Sequence, residues 1–116
     1  MAARFLLLLR AGDVGFAHFS PDDVQQTMQH YFAWTEQLRA EGRLVTADQL
    51  KPGGTLLRRS GERIVLDGPY SETKEAYGGF YLITAADLEE AAVVAKGCPV
   101  YEHGGAVEIR EIVPAP

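Results

Sequence analysis

Between two apolar runs, residues 64–66 and 79–83, lies a stretch dense in groups that can do chemistry: Asp67, Gly68-Pro69, Tyr70, Ser71, Glu72, Thr73, Lys74 and Glu75. Asp67 ends a strand-like run ahead of Gly-Pro, where a carboxylate accepts hydrogen bonds from the turn amides that follow. It reads as an Asx-type turn or as a working carboxylate, because perturbed acids gather at functional sites and structural acids are perturbed too. Ser71 and Lys74 stand at the Ser-x-x-Lys spacing that pairs a nucleophile with an amine in serine hydrolases. That spacing is short and common, and its companion elements are missing here. Lys74 is better suited to meet Glu72, Glu75 or a ligand anion. Exposed pairs of this kind contribute only about 0–1 kcal/mol, so stability does not account for the cluster and a ligand or subunit contact is the better reason for it.

A second candidate is His30, at the boundary of a helical apolar face and one turn before Trp34. A boundary histidine can shuttle protons near working pH, or it can be an ordinary, partly exposed helix residue. With Asp67 it makes a candidate acid–base pair, and Tyr70, Glu72, Lys74 and Trp34 are candidates for positioning a ligand. His18 and His103 fall in turn-like contexts and share no ligand spacing with His30, so no metal site is expected. Cys98, after a helix-ending Gly97, reads as a small packing residue. Gly78-Gly79 lacks the dinucleotide-binding pattern and suits close backbone approach instead. No cofactor is indicated.

These residues need a scaffold, and 116 residues suit a single domain over 1–116 with a modest core of its own. Eleven basic and sixteen acidic residues give a net charge of −5, with both signs scattered. That argues against nucleic acid or an anionic membrane as partner. One cysteine excludes an internal disulfide and fits a reducing cytoplasm. The five-residue apolar stretch FLLLL is too short for a signal-peptide core or a membrane span and reads as a strand.

Along the chain, residues 5–9 and 78–84 are apolar on both faces, as in strands buried on both sides. Residues 21–41 carry a full set of helix signals. Ser20 is placed to cap, Pro21 opens the helix, Asp22 and Asp23 occupy the first turn, and Gly42 stands where a left-handed residue ends it. Its apolar face comprises Val24, Met28, Tyr31, Phe32, Trp34, Thr35 and Leu38. Residues 43–50 make a weaker strand, and 55–66 a hairpin turning at Ser60-Gly61. A second helix starts after Thr84 as cap, with Leu88, Ala91, Ala92 and Ala95 as its stripe. Residues 106–113 alternate like an edge strand. Without the hairpin the order is that of a ferredoxin-like α+β sandwich, βαββαβ, whose two central strands would be the doubly apolar segments. Both helices then cross one face, leaving apolar side chains on the other, which a soluble protein rarely exposes. A homodimer is expected to cover them.

Asp67, Gly68, Pro69, Tyr70, Ser71, Glu72, Thr73, Lys74 and Glu75, followed by Gly78-Gly79-Phe80-Tyr81, also resemble the signature of the DGPF branch of YCII-related proteins, with Tyr70 in place of the usual Phe. Similarity extends to FAWTEQLRAEGRL, ADLEEA, Cys98-Pro99 and GAVEIREI. The resemblance implies a dimeric α/β barrel of ferredoxin-like subunits, often encoded beside extracytoplasmic-function sigma factors. In the wider group a His–Asp pair is the proposed active site, with relatives acting on small ring compounds. Asp67 matches that motif, whereas the helix position of the histidine registers with Thr27 here and His30 lies one turn later. The leading expectation is a small-molecule-binding dimer with isomerase-, lyase- or hydrolase-like proton transfer. The alternative is a non-catalytic ligand-sensing or interaction module linked to sigma-factor regulation.

Overall fold

A computed structural model describes residues 2–11, 16–51, 53–69 and 77–115, with the side chains of 67–69 excepted. Strand β1 (Ala3–Arg10) leads to helix α1 (Pro21–Ala40) and strand β2 (Leu44–Gln49). The hairpin strands β3 (Thr55–Ser60) and β4 (Arg63–Pro69) follow, then β5 (Tyr77–Ala85), α2 (Leu88–Ala95), a short 3-10 helix (Pro99–His103) and β6 (Ala106–Glu111). The main sheet is antiparallel in the order β2-β5-β1-β6, and β3-β4 form a separate two-stranded sheet. The doubly apolar strands β1 and β5 are therefore central, as the sequence pattern predicts for a ferredoxin-like α+β fold.

Alternation along β1 and β5 divides their side chains between two faces. Phe5, Leu7, Leu9, Tyr81, Ile83 and Ala85 are buried under both helices, with Trp34 and Leu38 of α1 and Ala91 and Ala95 of α2. Leu6 pairs with Leu82 and Leu8 with Phe80 on the opposite face, where all four stay half-buried.

Helix α1 begins with a capping box: the Asp23 amide donates to Ser20 Oγ and the Ser20 amide to Asp23 Oδ2, each at 3.1 Å. Gly42, at φ +74°, ends it in the left-handed conformation that glycine adopts without penalty. The buried line runs through Thr27, Trp34 and Leu38, with Tyr31 beside it. Met28 and Phe32, expected inward, are 39% and 70% exposed. The helix is rolled toward the 3-10 helix, which receives Thr27, His30 and Tyr31.

The cap of α2 is Asp87 rather than Thr84. Its carboxylate accepts from the Glu90 amide at 2.9 Å, while Thr84 is held in β5 opposite Arg4. Leu88, expected in the stripe of α2, is exposed, and Ala91 and Ala95 carry the packing. The hairpin turns at Gly61-Glu62, one residue later than the sequence suggests, because Ser60 pairs with Arg63. Gly61 at φ +65° takes the first central position, as in a type II′ turn.

Candidate functional site: a cavity between sheet, helix and 3-10 turn

The helix-covered face is not filled to its end. Beyond Tyr81, β5 offers Gly79, and a Cβ there would meet the Asp48 carbonyl oxygen at 2.8 Å. Glycine thus lets β2 approach and leaves the space above it unfilled. A cavity of about 510 Å³ lies here, walled by Leu9, Phe16, Ala47, Leu50 and Val100, with Tyr31, Thr35, Tyr81 and His103 as polar groups along its wall and Gln49 as a further one at its mouth. The lining residues Met28, Gln49, Leu50 and Gly78 are exposed, which places the mouth at the end of β2. Asp48 also borders it, but its register opposite Phe80 puts it on the face away from the helices. Volumes of this order, apolar with a few polar groups, are typical of small-molecule sites.

Two hydrogen-bonded pairs line the cavity. Tyr31 Oη lies 2.8 Å from His103 Nε2, and Thr35 Oγ1 lies 2.7 Å from Tyr81 Oη. Thr35 Oγ1 also donates to the Tyr31 carbonyl at 2.7 Å. Phe16 packs on the His103 ring with centroids 4.5 Å apart. Among the described residues His103 Nδ1 is buried without a hydrogen-bond partner. Burial lowers the His103 pKa from its usual 6.5, against the opposing pulls of the Glu102 charge and of the residue's own backbone carbonyl, and so favours neutral imidazole. Burial raises both tyrosines, with Tyr31 well above the ordinary phenol range, and keeps both hydroxyls protonated. The cavity therefore presents a neutral imidazole and protonated phenols, groups suited to hydrogen bonding and proton transfer.

The residues singled out from the sequence are distributed otherwise. His30 is exposed on α1, and its Nδ1 lies 2.9 Å from both oxygens of Glu102, which also accepts from Thr27 Oγ1 at 3.2 Å. Trp34 is buried in the core, its ring centroid 4.6 Å from that of Tyr81, and is not among the lining residues. Asp67 falls in β4, with its side chain outside the described residues, and Tyr70, Glu72 and Lys74 lie outside them altogether. Cys98 is buried, and that burial pushes its thiol up to about 11, as suits a packing residue rather than a nucleophile.

The sequence does not single out Tyr31, Thr35, Tyr81 and His103 as site residues. A signal existed for the tyrosines: a Tyr tip on an apolar helix face or in a buried strand needs a partner. None existed for His103, because its partner is 72 residues distant in the chain.

Fold and cavity together define a ferredoxin-like α+β protein with a small-molecule-sized pocket on the helix side of its sheet. Residues 4–116 match the YCII-related domain, and the chain belongs to that family. It is also similar to an uncharacterized protein of Rhizobium meliloti (strain 1021), with 38% identity over 76 residues. That match covers 63% of this chain and 61% of the relative. Among the described residues no helix is long and apolar enough to cross a membrane.

Proposed function

We propose that this YCII-related chain binds a small molecule in the cavity under α1 and carries out proton transfer on it. The observation that supports this is the Tyr31–His103 pair at 2.8 Å in an apolar cavity, with burial favouring the neutral imidazole. A neutral imidazole can take a proton and a phenol hydroxyl can give one, so isomerisation, elimination or hydrolysis of a small organic substrate fits. Asp67, carried over from the DGPF-like motif, is proposed as an ionisable partner. His30, engaged by Glu102 at the surface, is a weaker candidate for that role than His103. The working unit is proposed to be a homodimer, because Leu6, Leu8, Phe80 and Leu82 form an apolar face away from the helices.

A thermal-shift screen of small organic compounds tests the binding reading, with Ala47→Phe as a filled-cavity control. Hits should stabilise the wild type and fail on Ala47→Phe; hits that ignore that substitution would remove the cavity from consideration. Turnover of a hit should fall in His103→Gln and in Asp67→Asn, whereas binding without turnover favours a ligand-sensing module. Light scattering at micromolar concentration should give the dimer mass, and a monodisperse monomer would refute that assignment.

A further inference from the structure

The protons available along the cavity wall narrow the kind of ligand. Thr35 has one hydroxyl proton, and the Tyr31 carbonyl, which can only accept, takes it at 2.7 Å. The 2.7 Å contact between Thr35 and Tyr81 must therefore carry the proton of Tyr81, which leaves a lone pair on Tyr81 Oη as an acceptor. Between Tyr31 and His103 a neutral pair holds two protons, of which the 2.8 Å contact uses one. The other belongs to Tyr31 Oη or to His103 Nδ1. Nδ1 is buried, and among the described residues no group meets hydrogen-bond geometry with it, the backbone carbonyl of His103 itself included; buried N–H groups are rarely left orphaned. The proton is thus placed at Nε2, which donates to Tyr31 Oη, and the Tyr31 hydroxyl retains a proton to give. Among the described lining residues there is no lysine or arginine. An anion entering these apolar walls would lose hydration without a counter-charge from the described lining residues, which burial penalises.

We infer that the cavity takes an uncharged ligand with an apolar body, a carbonyl oxygen that accepts from the Tyr31 hydroxyl, and an N–H or O–H that donates to Tyr81 Oη. Carboxamides and hydroxyketones have this arrangement; carboxylates and phosphates do not. The inference rests on reading the cavity as the ligand site and adds the chemical class of its occupant.

The test uses a pair of near-identical shape, cyclohexanecarboxamide and cyclohexanecarboxylate, titrated near neutral pH by ligand-observed NMR. The wild type should bind the amide about ten-fold more tightly than the carboxylate, and Tyr31→Phe and Tyr81→Phe should each weaken the amide by about ten-fold, the upper range for one hydrogen bond. Circular dichroism confirms that both variants fold. Nitrogen-15 NMR of the wild type should show His103 protonated at Nε2. Equal or tighter carboxylate binding, indifference of the amide to both tyrosine substitutions, or a proton on Nδ1 would each overturn the inference. Ala47→Phe separates the two levels. If it abolishes carboxylate binding, the cavity stands and the ligand class falls; if neither compound binds the wild type, or binding survives Ala47→Phe, both fall.

Discussion

His30 and His103 are held by the same two elements, α1 and the 3-10 helix, yet their surroundings are opposite. His30 is exposed and sits against a carboxylate that Thr27 also holds, so its contacts fasten the outer seam between the two elements. His103, one residue beyond that carboxylate, faces Tyr31 and Phe16 at the cavity, with one nitrogen lacking a hydrogen-bond partner among the described residues. A polar group that is satisfied and wet stabilises little and is chemically quiet, whereas one that is buried and incompletely satisfied is costly and available for ligand or proton. Burial and satisfaction, rather than residue type, therefore separate the fastening histidine from the candidate functional one.

The largest effect should come from Trp34, which shares α1 with His30 and with Tyr31, the partner of His103. Trp34→Ala should cost about 3–5 kcal/mol in chemical denaturation, as for a fully packed aromatic. A stable Trp34→Ala protein that has lost only ligand binding would return this side chain to the site. His103→Gln should cost about 1–3 kcal/mol, in the upper range of single substitutions, and should also change the pH profile. Because burial holds the folded pKa below 6.5, the unfolded chain takes up this proton more readily. Stability should therefore rise with pH through the window below 6.5 and level off above it. Conversely, the loss on acidification should stop growing below the folded value. Melting curves across that window should lose this component in His103→Gln; an unchanged slope would place the proton elsewhere.

Cys98→Ala, at the residue that leads into the 3-10 helix, should cost only about 1 kcal/mol for the buried volume removed. Ligand affinity should be unaltered, and a well-folded variant that no longer binds would show that the thiol takes part. The smallest effect is expected at His30: His30→Gln should move stability by no more than about 1 kcal/mol, as for exposed ion pairs. A larger shift in the melting temperature would mean that the outer seam matters more than its exposure suggests.

Much of the scaffold was legible because it rests on local periodicity and capping. Residues 5–9 and 78–84 are apolar on both faces and became the central strands, and Ser20, Pro21 and Gly42 bracket α1 to within a residue or two. The roll of α1 was not legible: Met28 and Phe32 are as apolar as any residue on that face, and their exposure follows from where the 3-10 helix docks. The candidate site was less legible still. The sequence marks Gly79 as a place of close backbone approach, which it is, but the space above it depends on how far Tyr31, Val100 and Phe16 stand from the sheet. The polar motif from Asp67 onward drew attention by composition, whereas His103 stands in a plain turn sequence and acquires its role from residues far away along the chain.

Strand β5 lies between β1 and β2 in the sheet, and every second residue from Gly79 to Ala85 turns toward the helices. Length variation among relatives should therefore be unevenly tolerated. Residues can be gained or lost at the Gly61-Glu62 turn without disturbing either face of the main sheet. A single insertion or deletion within β5 would exchange its inner and outer side chains, sending Phe80 and Leu82 under the helices and Tyr81 outward. Both neighbouring strands would have to slip in step to restore the pairing, so the spacing from Gly79 to Ala85 should be less free to drift than the identity of most residues within it.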